Sequence, residues 1–510
     1  MKKQFTTRKL IACLLLGIIS SPIFAQEKEN DQVKMQHAQL GIKEDKSGTY
    51  SHTTNPGAQW FPDAGFGLFI HWSIASVKEI DLSWPMMQGT QIGWRGANDR
   101  LDPIEVKKIM DSKNYTKGAP CETTNNCVTP VQYWDLAKDF NPKSYDPRKW
   151  IKAAKEAGMT YAVLTTRHHD GFAMWPSAYG SFSTKNYMGG RDLVKEFVAA
   201  CREYRLKVGL YYSGPDWREN GDFQNFMYYK LSSMYPGIVP ELDANLQART
   251  TVKTEAEKQA HYKKIAAYVK GQVKELLTNY GKIDMIWFDG GPNIPDGNKA
   301  WEECISMDQI HQLQPGIVVS PRFYGYGDYK TFEQERALPT TKQDGWAELC
   351  VTSTGWDWGY TNKPMKSSAF LIDYLIKSRA VNTNLLLNYG PTKDGILTSG
   401  AYNQLKDFAQ WMKINGTSIK GTKALDASES ASVSATASKG HRYLFVVQKN
   451  EKAPLTDEKV EFKTKRDIKN VSLLGSKDKV KYTVKDGILT VCVSAAQRTV
   501  MPNVIDVEIK

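Results

Sequence analysis

Asp289 is the carboxylate whose surroundings point most clearly to chemistry. It closes the apolar run 285–288 and precedes Gly290 and Gly291. A carboxylate at this point stands in a confined setting beside the indole of Trp287, and catalytic groups are commonly found in such settings. The competing interpretation is an aspartate that only caps the following turn. Because caps seldom follow a strand that delivers a tryptophan, the pattern favours a catalytic carboxylate.

Further side chains able to hold a polar ligand stand where short apolar runs end, which is where a barrel of parallel strands builds its active site. They are His71, His168, His169, Tyr211, Trp287 and Arg322. His168 and His169 could chelate a metal, but neighbouring residues of a strand face opposite sides, so both would bind one ion only beyond the strand end. We therefore expect no metal and no cofactor. A metal-dependent hydrolase, which a chelator would inactivate, is the alternative.

A carboxylate among aromatic, histidine and arginine side chains at a barrel mouth is typical of enzymes that cleave glycosides. Aromatic faces pack on a pyranose ring, polar groups hold its hydroxyls, and a second carboxyl group acts as acid and base. The candidates for that second carboxyl follow Arg322 in the chain. They are Asp328, Glu333, Glu335 and Glu348. Spacing alone does not choose among them.

The elements that must position these side chains follow a βα pattern. Apolar runs rich in β-branched and aromatic residues alternate with segments of helical period, as in βα units around a parallel sheet. The predicted strands are 65–72, 161–167, 207–213, 283–289, 316–322, 348–353 and 384–389. The predicted helices are 147–157, 191–205, 254–280, 301–313, 368–381 and 401–415. No Gly-rich dinucleotide-binding turn follows the first strand, so the pattern predicts an α/β fold with a (β/α)8-like, TIM-type barrel over 59–420.

The chain changes character from about residue 423 onward. Short runs such as RYLFVVQ and ILTVCV follow one another with no helical segment between them. This pattern predicts a C-terminal β-sandwich over 423–510. All 14 tryptophans lie at or before Trp411, so we expect this domain to support the barrel rather than to bind sugar.

The N-terminal sequence predicts export. Residues 1–25 have a basic start and an apolar stretch and end before a polar segment, which indicates a signal peptide cleaved after Ala25 and a secreted or periplasmic protein. Residues 26–58 are polar and aperiodic and are interpreted as an N-terminal arm. No later stretch predicts membrane insertion, and the net charge of +12 comes without the Lys/Arg runs that bind nucleic acid. Cys121 and Cys127 bracket a short polar loop that a disulfide could close.

Six motifs run in order along the predicted barrel. They are FGLFIHW (66–72), AGMTYAVLTTRHHDGFAMWPS (157–177), RDLVKEF (191–197), GLYYSG (209–214), WFDGG (287–291) and NLLLNYGPTKDG (384–395). Motifs of this length in this order closely resemble glycoside hydrolase family 29, the α-L-fucosidases. The resemblance implies a retaining exo-glycosidase that releases terminal α-L-fucose from oligosaccharides or glycoconjugates without a cofactor.

The resemblance also implies roles for single residues. Asp289 matches the nucleophile of a double displacement, and Glu333 matches the acid/base of bacterial members. The positions that hold the sugar are His71, His168, His169, Tyr211, Trp287 and Arg322. After the first strand this chain departs from the family pattern: Trp84 is expected to replace an aromatic residue that touches the sugar, and the partner glutamate of that residue is missing. The alternatives are an α-L-galactosidase of the same family and a carbohydrate-binding protein that has lost turnover.

Overall fold

The computed structural model describes residues 52–86, 102–104, 107–108, 128, 130–223, 235, 237–238, 240–245, 248–292, 300–323 and 327–510. The predicted signal peptide, most of the predicted arm, and Cys121 and Cys127 lie outside the described residues. Within those ranges, no helix combines the length and the apolar character that crossing a bilayer requires.

Eight parallel strands form the sheet of the first domain. They are β1 (Phe66–Ile70), β2 (Tyr161–Arg167), β3 (Lys207–Ser213), β4 (Met285–Asp289), β5 (Val318–Val319), β6 (Lys330–Glu333), β7 (Ala347–Thr352) and β8 (Asn384–Tyr389). Neighbours pair in the order β5, β4, β3, β2, β1, β8, β7, β6, so the sheet curls round with β5 and β6 as its edges. Helices lie between most successive strands. The predicted (β/α)8-like barrel is thereby confirmed.

Side chains of the barrel strands alternate between the barrel interior and the surrounding helices. In β3, Tyr211 packs in the inner cluster and Tyr212 in the outer one; in β4, Trp287 packs inward and Phe288 outward. Both faces of these strands are buried, which explains why their sequences are almost continuously apolar. The alternation places Asp289, two residues after Trp287, on the interior side.

The longer helices are α1 (Pro147–Glu156), α2 (Leu193–Glu203), α3 (Glu255–Thr278), α4 (Met307–Leu313), α5 (Ser368–Ala380) and α6 (Ser399–Asn415). Helix α3 begins with a capping box, in which Thr254 and Glu257 each accept a hydrogen bond from the other's backbone N–H. The prediction of one helix over 301–313 is wrong, because Ala300–Cys304 and α4 are separate helices. Ser306 has extended backbone and caps α4, and this interrupts the helix.

Strand β6 is an element that the sequence pattern does not predict. Its four residues carry charges at both ends and are only half-buried, so they lack the apolar pattern of the other strands. β6 pairs in parallel with β7 at one edge of the sheet. The opposite edge, β5, is also shorter than the predicted strand 316–322. The unpredicted strand bears on function because Glu333 is its last residue.

The C-terminal region is a β-sandwich of two antiparallel sheets, as predicted. Its strands are β9 (Lys423–Ala424), β10 (Ser430–Ala431), β11 (Ala435–Ser438), β12 (His441–Val446), β13 (Glu458–Lys463), β14 (Ile468–Leu473), β15 (Lys481–Lys485), β16 (Ile488–Val493) and β17 (Asn503–Ile509). The sheets run β10, β13, β16, β15 and β14, β17, β12, β11, β9. The indole N–H of Trp411 in α6 donates to the Pro502 carbonyl at 2.8 Å and so ties the sandwich to the barrel.

Candidate active site

A pocket opens at the carboxyl ends of the barrel strands. It is lined by Phe69, His71, Trp84, His168, Tyr211, Trp287, Asp289, Arg322, Glu333, Cys350 and Trp358. The space within it, with the open mouth included, is about 380 Å³. Eight of the nine side chains expected in the site therefore meet in one place. The ninth, His169, has its Nε2 atom 3.7 Å from Asp289 Oδ2.

Asp289 is bound through both of its carboxyl oxygens. Arg322 Nη1 donates to Oδ1 at 2.7 Å, and the Tyr211 hydroxyl donates to Oδ2 at 2.6 Å. Burial is the strongest single influence and opposes the negative charge, but the guanidinium of Arg322 and the other groups around the carboxyl together outweigh it, and the pKa of Asp289 lies below its usual value. The side chain is therefore an ionised carboxylate at the pocket wall, as a carboxylate nucleophile must be.

Arg322 joins the two carboxylates for which the sequence predicts catalytic roles. Its Nη2 atom donates to Glu333 Oε2, while Nη1 binds Asp289. The guanidinium also lies over the Trp287 ring, 4.9 Å from the ring centroid. A planar cation between two carboxylates offsets their mutual repulsion and holds them close together. This is the arrangement that a two-carboxylate reaction at one sugar carbon needs.

The other three candidates for the second carboxyl lie outside the pocket lining. Asp328 accepts hydrogen bonds from two backbone N–H groups, both at 2.8 Å. Glu335 forms an ion pair with Lys366. Glu348 is completely buried beneath the pocket. Glu333 is the one of the four that lines the pocket.

The hydrogen-bond network around His71 shows which of its ring nitrogens carries the proton. Asn388 Nδ2 donates to the Trp358 carbonyl at 2.7 Å, so Asn388 Oδ1 is left to accept from His71 Nδ1 at 2.7 Å. Burial lowers the pKa of His71 to about 4, and the ring is neutral near neutral pH. With the proton on Nδ1, the Nε2 atom is an acceptor for a ligand hydroxyl.

His169 offers a second acceptor of the same kind. Ser213 Oγ donates to the Pro215 carbonyl at 2.6 Å and therefore accepts from His169 Nδ1 at 2.5 Å. Burial lowers the pKa of His169 to about 4, so the neutral ring has no proton on Nε2. That atom is buried without a hydrogen-bond partner. It faces Asp289 Oδ2, another acceptor, and a ligand hydroxyl that donates to His169 would satisfy it.

The segment after β1 supplies one wall of the pocket. Trp84 meets the ring of His169 edge-on, with ring centroids 5.3 Å apart and an interplanar angle of 79°. Ser83 Oγ hydrogen-bonds His168 Nδ1 at 2.6 Å. The His168 ring lies parallel to that of Tyr211, at 5.7 Å and 8°. The segment thus both lines the pocket and orients a histidine within it.

Three lining residues, Phe69, Cys350 and Trp358, are not singled out by the sequence pattern. Trp358 is the most informative of them, since its ring centroid lies 4.9 Å from that of His71. It belongs to the segment GWDWGY (355–360), which begins shortly after β7 ends. Two tryptophans just beyond the carboxyl end of a barrel strand are the signal that could have identified it.

The possibility of a metal centre concerns His168, His169 and Asp289, whose ligating atoms lie within 4.8 Å of one another. Both histidines bind serine hydroxyls through Nδ1 and could present only Nε2 to an ion. Arg322 already supplies a positive charge 2.7 Å from Asp289, and it would repel a second cation there. The absence of a metal remains a prediction.

Glu348 supports the pocket from beneath. Its carboxyl oxygens accept hydrogen bonds from Trp287 Nε1 at 2.9 Å and from the Tyr161 hydroxyl at 2.7 Å. Trp287 in turn stacks on Tyr211 at 5.5 Å, and Tyr211 binds Asp289. Burial raises the pKa of Glu348 to about 7. The residue therefore holds an aromatic side chain of the pocket and has no direct access to a ligand.

The raised pKa of Glu348 makes the stability of the protein depend on pH. In the unfolded chain this carboxyl releases its proton near pH 4.5, whereas the folded protein keeps it up to about pH 7. Between these values the unfolded state binds fewer protons, so the free energy of unfolding falls with rising pH, by about 3 kcal/mol. Glu348→Gln removes this titration. Urea denaturation across this range should show the wild type losing stability relative to the variant, and parallel pH dependences would contradict the assignment.

Barrel enzymes that cleave glycosides place two carboxylates at the strand ends around an aromatic-lined pocket, and this molecule does the same. Its class is therefore that of the glycoside hydrolases. The family model described as Alpha-L-fucosidase matches residues 33–417. The chain belongs to this family, glycoside hydrolase family 29.

Known relatives agree with this assignment. The chain is 27% identical over 384 residues to tissue alpha-L-fucosidase of Mus musculus, covering 72% of this chain and 73% of that protein. The Homo sapiens tissue enzyme is 27% identical over 383 residues, with 72% and 70% covered. Alpha-L-fucosidase isoenzyme 1 from Paenibacillus thiaminolyticus superposes with a TM-score of 0.67 at 26% identity, covering 89% of this chain and 99% of that one. The protein is thus an enzyme of the α-L-fucosidase type.

Proposed function

We propose that this enzyme is an exported, retaining exo-glycosidase that removes terminal α-L-fucosyl residues from oligosaccharides or glycoconjugates by double displacement. The observation that carries the proposal is that Asp289 and Glu333 bind the same guanidinium, that of Arg322. Retaining enzymes hold their two carboxyl groups about 5–5.5 Å apart, whereas inverting enzymes leave about 6.5–9.5 Å for a water molecule. A shared arginine favours the narrower spacing.

In the first step, Asp289 attacks the anomeric carbon and the bond to the leaving oxygen breaks. Glu333 takes up a proton from solvent as its ion pair with Arg322 opens on substrate entry, and it gives that proton to the leaving oxygen. Tyr211 and Arg322 keep the attacking carboxylate oriented. In the second step, Glu333 takes a proton from water, which attacks the same carbon and releases Asp289. Two inversions retain the configuration of the sugar.

The pocket walls suit a sugar that carries both hydroxyl groups and a methyl group. His71 and His169 offer unprotonated Nε2 atoms as acceptors for hydroxyls. Phe69, Trp84 and Trp358 supply apolar surface against which the C5 methyl of L-fucose can pack. The additional hydroxyl of L-galactose would find no partner on such a surface, and we expect cleavage of α-L-galactosides to be about 10²-fold less efficient.

Export is proposed from residues 1–25, with their basic start and apolar stretch. The test is N-terminal sequencing of the protein recovered from the periplasm or the medium, where Gln26 is the expected first residue. Recovery of the chain with its original N-terminus inside the cell would contradict this part of the proposal.

The decisive experiment combines a substrate panel with stereochemistry. Nitrophenyl α-L-fucoside, nitrophenyl α-L-galactoside and fucosylated oligosaccharides are offered to the purified protein, and NMR identifies the anomer of the sugar first released. We expect α-L-fucose from the fucosides. Release of the β anomer first would exclude retention. Cleavage of galactosides alone would identify the substrate as an α-L-galactoside. Binding without any hydrolysis would indicate a carbohydrate-binding protein that has lost turnover. The family comparisons favour neither alternative.

Removal of metal ions is expected to leave the enzyme active. Because Arg322 provides the positive charge beside Asp289, the mechanism needs no ion there. Dialysis against EDTA, followed by assay of nitrophenyl fucoside hydrolysis with and without added Zn²⁺, checks this. Loss of activity that Zn²⁺ restores would instead support a metal centre at His168 and His169.

A further inference from the structure

Trp356 stands on the rim of the barrel with 43% of its surface exposed. Among the described tryptophans it is the only one in the exposed class, since the others are buried or half-buried. It lies in the segment GWDWGY (355–360), two residues before Trp358 of the pocket lining. An exposed indole is unusual in a chain that buries most of its tryptophans, and its place beside a sugar pocket suggests a ligand.

The backbone of Trp356 is held next to the residue that follows Glu333. Gln334 directly follows this carboxylate, and its backbone N–H donates to the Cys350 carbonyl at 2.8 Å. Its side-chain Nε2 reaches back to the Trp356 carbonyl at 3.5 Å. Gln334 is buried and has a φ of +64°, a conformation that non-glycine residues adopt only when their surroundings enforce it. Gln334 therefore links the end of β6 to β7 and to the segment that follows β7, beside the pocket.

Arg336 completes this rim. It lies in the short helical turn Glu335–Ala337, and its guanidinium is 5.7 Å from the centroid of the Trp356 ring. The pair presents a flat apolar surface next to a cation with several N–H donors. A pyranose has matching chemistry, because its C–H face packs on an aromatic ring while its hydroxyls accept hydrogen bonds at the edge.

We infer that Trp356 and Arg336 form a binding platform for the first sugar ring of the leaving group. This inference rests on the proposed function, in which Glu333 protonates the leaving oxygen. The fucosyl ring occupies the pocket around Asp289, so the ring on the other side of the broken bond has to lie outward from Glu333. Arg336 lies three residues after Glu333, and Trp356 is hydrogen-bonded to Gln334, so the two exposed side chains form a rim next to Glu333.

The test compares the activity of variants on a substrate whose leaving group reaches the platform and on one whose leaving group does not. A fucosyl disaccharide places a pyranose on Trp356, whereas α-L-fucosyl fluoride has a single-atom leaving group. With Trp356→Ala, kcat/KM for the disaccharide should fall about tenfold, the loss typical of truncating an aromatic binding residue. Trp356→Phe keeps a flat ring and should lose less. With the fluoride, both variants should match the wild type. Tyr482→Ala removes an aromatic of similar exposure, 44%, on the C-terminal sandwich and serves as the control.

Each other outcome is informative. An equal fall on both substrates would assign Trp356 to holding the segment that carries Trp358, and the platform would be rejected. Unchanged kinetics on the disaccharide would reject it as well. A wild-type enzyme that cleaves neither substrate would remove the proposed function, and with it the platform, whereas normal cleavage of the fluoride with an unaffected disaccharide removes the platform alone.

Discussion

Replacing Asp289 with alanine is expected to abolish turnover and leave the protein folded. Without the proposed nucleophile no glycosyl-enzyme could form, and losses of this kind reach about 10⁴-fold or more in kcat. Arg322 keeps its contact with Glu333, so the substitution leaves no buried charge unpaired. Hydrolysis of nitrophenyl fucoside and thermal unfolding should be measured on the same preparations of variant and wild type.

The covalent chemistry gives a sharper measurement than the loss of rate. The fluorine at C2 of 2-fluoro-fucosyl fluoride destabilises the oxocarbenium-like transition states of both steps, while the fluoride leaving group speeds the first step, so a retaining enzyme accumulates the glycosyl-enzyme. We expect this reagent to label Asp289 of the present enzyme, as read by peptide mass spectrometry. Added azide should restore turnover to Asp289→Ala and yield the β-fucosyl azide, because a single displacement inverts the configuration.

Asp284 provides the matched control for Asp289. It directly precedes the same strand, β4, at the opposite end of the barrel, where Oδ2 accepts from the Val208 N–H at 3.0 Å. Side chains at that end contribute to stability and not to catalysis. Asp284→Asn should therefore lower the unfolding temperature and leave kcat unchanged. A label found on Glu333, or substantial activity remaining in Asp289→Ala, would contradict the assignment of the nucleophile.

The sequence predicts best those strands that are buried on both faces of the sheet, because burial on both faces gives them a nearly continuous apolar sequence. Strands β3 and β4 are interior strands of the sheet, so packing keeps their central residues apolar, and the polar residues Ser213 and Asp289 mark their carboxyl ends. Alternation along β4 then separates Trp287 from Phe288 and places Asp289 inside the barrel. This is why Asp289 stands out from sequence alone.

Strand β6 could not be predicted because its residues are only half-buried and its sequence therefore lacks an apolar pattern. It is an edge strand of four half-buried residues. Its pairing with β7 and the hydrogen bond from Gln334 to the Trp356 carbonyl hold it in place. Pairing of this kind depends on the residues of β7, which lie outside the segment itself, so the local sequence of β6 does not indicate it. The choice among the four candidate carboxyls depended on this strand, since β6 brings Glu333 to the pocket while Glu348 of β7 is buried beneath it.

Replacing Glu333 with alanine is expected to slow different substrates to very different extents. General acid catalysis contributes about 10²–10⁴-fold, and all of it is needed when the leaving group is a sugar hydroxyl. A dinitrophenolate leaves without protonation, so the first step on that fucoside should be nearly unaffected. The kcat/KM values of Glu333→Ala and wild type on a fucosyl disaccharide and on dinitrophenyl fucoside measure the contrast. Azide, which needs no general base, should accelerate the variant on the activated substrate.

The configuration of the azide product tests the same assignment independently. In Glu333→Ala the glycosyl-enzyme still forms on Asp289, so azide attacks an already inverted centre and the α-fucosyl azide results. This is the opposite anomer to the one expected from Asp289→Ala. Glu348→Gln is the control, because Glu348 holds Trp287 at 2.9 Å and has no exposed surface from which to reach the leaving oxygen. It should affect all substrates alike and show no rescue. Leaving-group dependence and azide rescue at Glu348 in place of Glu333 would overturn the acid/base assignment, because loss of the contact between Glu348 and Trp287 could not produce both effects.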